Sequence, residues 1–170
     1  MKKRRKRMEV RKILEYALQR EYEGKKFFED NATRMAHPAA ASAFRELAAE
    51  EEKHIGFIQG QIAALEKNQL SSQGIADELN RAGFFTARAH SELLDQTVLE
   101  AMVPDLPVLR TAYLIERDFA EFYESSAMKT DGEAKILLEK LSAWERKHEA
   151  LFKSLHDKAY EAYNAMPWGG

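Results

Sequence analysis

Apolar residues recur at three- and four-residue intervals through four long stretches of the chain, with charged residues between them, and this spacing predicts helices. In the first stretch, from about Met8 to Met35, Ile13, Leu14, Ala17, Leu18, Tyr22, Phe27 and Phe28 follow the helical period. Gly24 falls inside it at a cost of about 1 kcal/mol relative to Ala, which predicts close approach of a neighbouring helix at that point. His37-Pro38 ends this helix and starts the next, because the residue before proline avoids the helical region while proline itself suits a first turn. The second helix is expected from about Pro38 to Lys67. Its stripe of Phe44, Leu47, Ala48, Glu51, His54, Ile55 and Ile58 places a carboxylate and an imidazole on the face that should be buried.

The pattern breaks between about Asn68 and Asp105, where Ser71-Ser72-Gln73-Gly74, Gly83-Phe84-Phe85 and Pro104-Asp105-Leu106-Pro107 punctuate the chain. This stretch is read as a long crossover. Leu93, Leu94, Val98 and Met102 keep helical spacing within it, so Thr86 to Met102 is expected to form an accessory helix. Asp105 is placed to cap a third helix running to about Met128, with Pro107 tolerated in its first turn. Thr130-Asp131-Gly132-Glu133 reads as a turn and cap before a fourth helix from about Gly132 to Tyr163.

The two halves of this pattern are copies. Glu21 to Glu29 (EYEGKKFFE) matches Glu116 to Glu124 (ERDFAEFYE) at an offset of 95, as Phe27 matches Phe122 and Ala32 matches Ala127. Glu51-Glu52-Lys53-His54 matches Glu145-Arg146-Lys147-His148 at an offset of 94, as Leu47 matches Leu141. The one-residue slip falls between the blocks, where a turn absorbs it, so each half reads as one helical hairpin. The fold expected is all-α, a four-helix bundle of two repeated antiparallel hairpins joined by a long crossover. Helices of about 28 residues would each reach about 42 Å. The expected organisation is a basic tail at 1–7, one domain at 8–165 with hairpins at 8–67 and 106–165 around a crossover at 68–105, and a C-terminal tail at 166–170.

Composition narrows the chemistry. A chain of 170 residues, 45% hydrophobic, buries one core and calls for one domain. Residues 1–12 carry eight Lys or Arg against Glu9, a net +7, so a chain with net charge −2 leaves −9 for the remainder. The run Lys2 to Arg7 has the charge to touch nucleic acid or an anionic surface, but it also has the character of a solvated, frayed terminus, which is the reading adopted. There is no cysteine, which excludes disulfides, thiolate nucleophiles and thiolate-bound iron in these residues. Any metal is held by oxygen and nitrogen. No apolar run is long enough for a membrane span, and the basic start leads into charged residues, so a soluble cytoplasmic protein is expected.

Glu51 and His54, like Glu145 and His148, are three residues apart and share one helical face, which is metal-ligand spacing. A single Glu-x-x-His arises by accident on charged helices. Two in register, each downstream of a repeated Glu, converge on a common point when four helices pack. Glu21, Glu51, His54, Glu116, Glu145 and His148 then supply four carboxylates and two imidazoles, the constellation of di-iron and di-manganese carboxylate bundles. Four carboxylates carry −4 and two divalent ions +4, so the loaded centre is neutral. Oxygen-rich ligation with two imidazoles suits two iron ions, with manganese as the alternative. By the symmetry of the repeat, Glu21 with His54 serves one ion, Glu116 with His148 the other, and Glu51 and Glu145 bridge.

At these residues the chain resembles the ferritin-like superfamily, and within it the rubrerythrin-type di-iron domain, over about Leu14 to Tyr163. The resemblance implies a cytoplasmic non-haem di-iron protein that reduces peroxide or dioxygen, or oxidises ferrous iron, commonly as a homodimer or larger assembly. Two departures bear on the reaction. Rubrerythrins usually carry a cysteine-bound rubredoxin module, so a chain without cysteine implies a separate electron donor protein. They also place a further Glu one turn from the third-helix ligand, where this chain has Tyr113 and Phe119 on either side of Glu116. Tyr113 is a candidate to hydrogen-bond a ligand, beside its ordinary reading as a core residue. His37, His90 and His156 have no repeat mates and are read as surface or capping residues; Glu29, Glu50, Glu52 and Glu124 point away by helical phase; Phe27, Phe28, Phe122 and Tyr123 are read as core packing. Three function classes follow in order: a di-iron oxidoreductase acting on peroxide or dioxygen, a ferroxidase or iron-storage protein, and a non-catalytic bundle that binds a partner.

Overall fold

The computed structural model describes residues 2–70 and 102–167. Among the described residues there are four long α-helices and no strand: α1 (Lys2–Ala32), α2 (Pro38–Glu66), α3 (Leu106–Ala127) and α4 (Gly132–Ala165), with a short 3-10 turn at Val103–Asp105 before α3. α1 packs along α2, and α3 along α4, each pair joined by a short turn as an antiparallel hairpin. Glu21 of α1 meets Tyr123 of α3 and Gly24 meets Phe119, so α1 and α3 also run antiparallel. The molecule is an all-α bundle. The accessory helix expected from Thr86 and the position of His90 lie outside the described residues. No helix among the described residues is long and apolar enough to cross a membrane.

Local chemistry explains the boundaries. α1 begins at Lys2, where a frayed basic tail was expected, because Arg5 reaches Glu9 at 3.2 Å and Arg11 reaches Glu15 at 2.8 Å one turn on. Lys6 also pairs with Asp131 in the turn between α3 and α4, tying the start of the chain to the second hairpin. Beyond the end of α2, Asn68 with a φ of 60° lets the Gln69 amide reach the Ala64 carbonyl at 2.8 Å and close the last turn. Gly132 opens α4 with a φ of 58°, a conformation for which glycine is the favoured residue. At Gly24 a Cβ would stand 3.1 Å from the Phe119 ring, so the missing side chain is what lets α3 approach α1, as the glycine's position predicts.

Asp105 departs from its expected role. It precedes α3, but its side chain makes no bond to that helix. Its carboxylate instead accepts the Ala36 amide at 2.9 Å and the His37 amide at 3.3 Å, in the turn between α1 and α2. Proximity in sequence favoured a local cap; packing of the two hairpins offered two distant donors in a buried place. The His37 carbonyl in turn accepts the Ala41 amide at 3.0 Å, which makes His37 the capping residue of α2.

The core forms two apolar clusters with a polar layer between them. One includes Leu14, Ala17, Phe57, Ile58, Phe119, Leu141 and Trp144, and the other Phe28, Phe44, Leu47, Ala112, Leu151 and Phe152. On every helix the residues between these sets are the buried acids and histidines. Phe28, Phe44 and Phe152 pack edge-on or stacked at centroid distances of 5.2 to 5.7 Å, so the layer is closed on that side by aromatic rings.

Candidate metal centre

Each helix contributes to the polar layer from its buried stripe. Glu21 of α1 follows Leu14 and Ala17 and precedes Phe28; Glu116 of α3 lies between Ala112 and Phe119. Glu51 and His54 on α2, and Glu145 and His148 on α4, occupy one turn each of theirs. The structure brings together all six residues that the repeat singles out. The four carboxylates are fully buried, and His54 and His148 are 3% and 5% exposed. Single donor atoms of Glu51, His54, Glu145 and His148 all lie within 4.8 Å of one another.

The distances divide the layer into two halves. His54 Nδ1 lies 3.3 Å from Glu21 Oε2, 3.5 Å from Glu51 Oε2 and 3.2 Å from Glu145 Oε1. His148 Nδ1 lies 3.5 Å from Glu116 Oε2, 3.6 Å from Glu51 Oε1 and 3.5 Å from Glu145 Oε2. Glu51 and Glu145 each turn one oxygen toward each imidazole, whereas Glu21 and Glu116 each face only one.

Electrostatics in this layer follow from burial. Burial pushes Glu51 well above the usual carboxylate range, and the charge of Glu21 adds to this against the pull of His54. Burial and then repulsion from Glu51 and Glu145 push Glu116 up as well. Burial alone would lower the His54 imidazole, but Glu145 and Glu51 together outweigh it and raise His54 well above its ordinary value. Glu145 is also pushed up by burial, yet His54 and His148 outweigh that and hold it below the carboxylate range. Without cations the layer therefore favours the protonated forms of Glu51, Glu116 and His54 and the ionised form of Glu145.

Both carboxylate oxygens of Glu51, Glu116 and Glu145 are buried and accept no hydrogen bond. Buried acceptors left in this state cost free energy, which a cation bound by them would offset. Four carboxylates and two imidazoles from four helices match the hard-oxygen, borderline-nitrogen donor set of iron or manganese carboxylate sites. The residues fit such a group.

The tyrosine that meets the layer is Tyr123 and not the candidate Tyr113. Tyr113 sits in the Phe28 cluster, its ring 5.4 Å from His156 and beneath the Arg117 guanidinium at 5.6 Å. Tyr123, read from the sequence as core packing, is 1% exposed and donates its hydroxyl to Glu21 Oε1. The antiparallel course of α1 and α3 is the reason: residues after Glu116 pass Glu21, while Tyr113, three before it, runs toward the opposite end. The signal in the sequence is the one mismatch of the block Phe27-Phe28-Glu29 with Phe122-Tyr123-Glu124, where a hydroxyl is added. Burial and the Glu21 charge push the Tyr123 phenol up, so it stays a donor. Trp144 stacks on His54 with centroids 4.7 Å apart and planes at 2°.

The flanking acids lie outside the layer. Glu52 pairs with Lys25 at 2.7 Å, Glu50 with Lys53 at 2.6 Å, and Glu124 with Arg146 at 2.9 Å. The last pair joins a chain through Glu149 to Arg117 that binds α3 to α4 over the site.

The family model described as Rubrerythrin matches residues 12–156. No curated protein and no solved structure matches the chain.

Proposed function

The chain belongs to the rubrerythrin family, and from that premise we propose that it is a non-haem di-iron oxidoreductase that reduces peroxide or dioxygen with electrons from a separate donor protein. The observation that carries this reading is the pair of imidazoles facing four fully buried carboxylates, three of which have no hydrogen-bond donor of their own. Two bound iron ions supply two one-electron equivalents and a Lewis-acidic place for the oxidant. Glu21 and His54 would hold one ion, Glu116 and His148 the other, and Glu51 and Glu145, whose oxygens face both imidazoles, would serve both. Cations would compete with protons at Glu51, Glu116 and His54, so rising pH would favour loading. Tyr123 keeps Glu21 oriented through its hydroxyl, and Phe28, Phe44 and Phe152 exclude water from one side. No cysteine stands among these residues to relay electrons, so the donor is placed outside them.

A ferroxidase or iron-storage role is the second reading, favoured by one observation. The neighbours of Glu116 one turn away are Phe119, packed over Gly24, and Tyr113, packed on His156, so no further carboxylate is at hand there to exchange with the ligands. Steady-state peroxide consumption by iron-loaded protein with an added reductant separates the two. Sustained turnover with close to two irons per chain supports the oxidoreductase; mineral retained well beyond two irons without turnover supports storage. A metal-free protein that refuses iron overturns both.

A further inference from the structure

We infer that the two metal positions are unequal: Tyr123 and Trp144, both from the second hairpin, hold Glu21 and His54 in place, so the first cation enters there and the Glu116–His148 side fills second. The inference rests on the two-metal reading above. The sequence repeat by itself makes the two sides equivalent, and two substitutions within it remove that equivalence. The repeat mate of Tyr123 is Phe28, which has no hydroxyl to give, and the mate of Trp144 is Glu50.

The consequences are visible at each ligand. Glu21 accepts the Tyr123 hydroxyl at Oε1 and turns Oε2 to His54 at 3.3 Å, so both of its oxygens are already directed. Neither oxygen of Glu116 accepts a hydrogen bond, although the residue is as fully buried as Glu21. The His54 ring lies parallel to Trp144 at 4.7 Å, and Trp144 is in turn braced edge-on by Phe57 at 5.3 Å. Glu50, in place of a ring, turns to Lys53 at 2.6 Å. A cation arriving on the Glu21 side meets a carboxylate and an imidazole fixed beforehand. On the other side Glu116 faces His148 at 3.5 Å with one oxygen and has no hydroxyl on the other, so the arriving ion has less of its site set beforehand. Outer partners that orient a ligand are typically worth about 10–100-fold in metal affinity.

Anaerobic titration of the metal-free protein with Co(II), counting bound ion by equilibrium dialysis, tests this. Wild type should bind two ions in two steps. Tyr123→Phe, which copies the Phe28 side, should weaken the first step about tenfold or more and leave the second within a factor of about three. Glu116→Ala should keep the first step and lose the second, while Glu21→Ala should lose the tight step. Should Tyr123→Phe fold poorly, Trp144→Leu should weaken the first step and Trp144→Phe, which restores an aromatic plane, should recover most of it. An unchanged first step in both Tyr123→Phe and Trp144→Leu, equal weakening of both steps, or Glu116→Ala weakening the first step more than Glu21→Ala, overturns the inference while leaving the two-metal reading intact. A wild type that binds one ion or none overturns that reading, and this inference with it.

Discussion

Phe28, Phe44 and Phe152 on one side of the site and Glu51, Glu116 and Glu145 within it are equally buried, each with no exposed surface, yet burial acts on the two groups with opposite sign. For the rings it removes apolar area from water and contributes about 1.5–3 kcal/mol per side chain. For the carboxyl groups it removes solvent from acceptors that receive no hydrogen bond and face only the two imidazoles. The apolar clusters above and below therefore hold the helices together, and the polar layer between them draws on that stability until cations neutralise it. A site of this kind needs to be bracketed by core on both sides, and that is where the repeat places it.

The comparison can be broken at its apolar end first. Phe152→Ala, which removes a ring in contact with Phe28 and Phe44, should cost about 3–5 kcal/mol and lower the melting temperature with and without metal by similar amounts. If the loss appears only in the metal-loaded protein, the aromatic cluster belongs to the site and not to the scaffold.

The polar layer should respond in the other direction. Glu51→Gln and Glu145→Gln keep the side-chain shape and remove a ligand that faces both imidazoles, so they should abolish most of the rise in melting temperature that iron gives the wild type. In the metal-free protein Glu51→Gln should hold or gain stability, by about 1–3 kcal/mol, because an acid that burial keeps from ionising is replaced by a neutral group, whereas Glu145→Gln should lose stability, because His54 loses the charge that faces it at 3.2 Å. Equal increments from iron in wild type and variants would mean that these carboxylates do not hold the metal.

Proton linkage sharpens the contrast. Glu51 and Glu116 have folded pKa values above those of the unfolded chain, so the stability they lend is present below the ordinary carboxylate range and is lost as pH rises through the raised values. His54 acts in the same sense, lending stability below its unfolded value and losing it as pH rises through the folded one. Glu145 acts oppositely, its contribution being lost as pH falls below the carboxylate range. Metal-free protein should therefore melt lower at pH 8 than at pH 5.5, Glu51→Gln should flatten that slope, and the increment from metal should grow over the same interval. A metal-free melting temperature that climbs from pH 5.5 to 8 would show that the layer does not retain these protons.

The smallest expected effect lies outside the layer. Asp105→Ala leaves the Ala36 and His37 amides without their acceptor in the turn between α1 and α2 and should cost about 1–3 kcal/mol, with metal stoichiometry unchanged. Loss of metal on this substitution would show that the first hairpin is positioned by Asp105 and not by the core.

The six residues that meet in the polar layer were legible as a set because their information is periodic. Helical phase puts Glu51 with His54 and Glu145 with His148 on buried stripes, and a duplication with one offset picks Glu21 and Glu116 from many acids. Gly24 was legible for a related reason, since a glycine inside a strong helical pattern is tolerated where a neighbour comes close. Periodicity assigns a residue to a face of its own helix, but not to a partner on another. Tyr113 and Tyr123 both lie on the buried side of α3, and only the antiparallel approach of α1 decides that Tyr123 reaches Glu21 while Tyr113 packs on His156. Asp105 stands where a local cap belongs, yet docking of the hairpins gives its carboxylate two amides more than sixty residues away. Periodicity and duplication carry four helices, their phase and a twofold set of candidate metal-ligand residues. The tertiary structure decided which hydroxyl and which ring support one side of that set, because such partners are chosen by interhelical rotation and distance, which no single helix encodes.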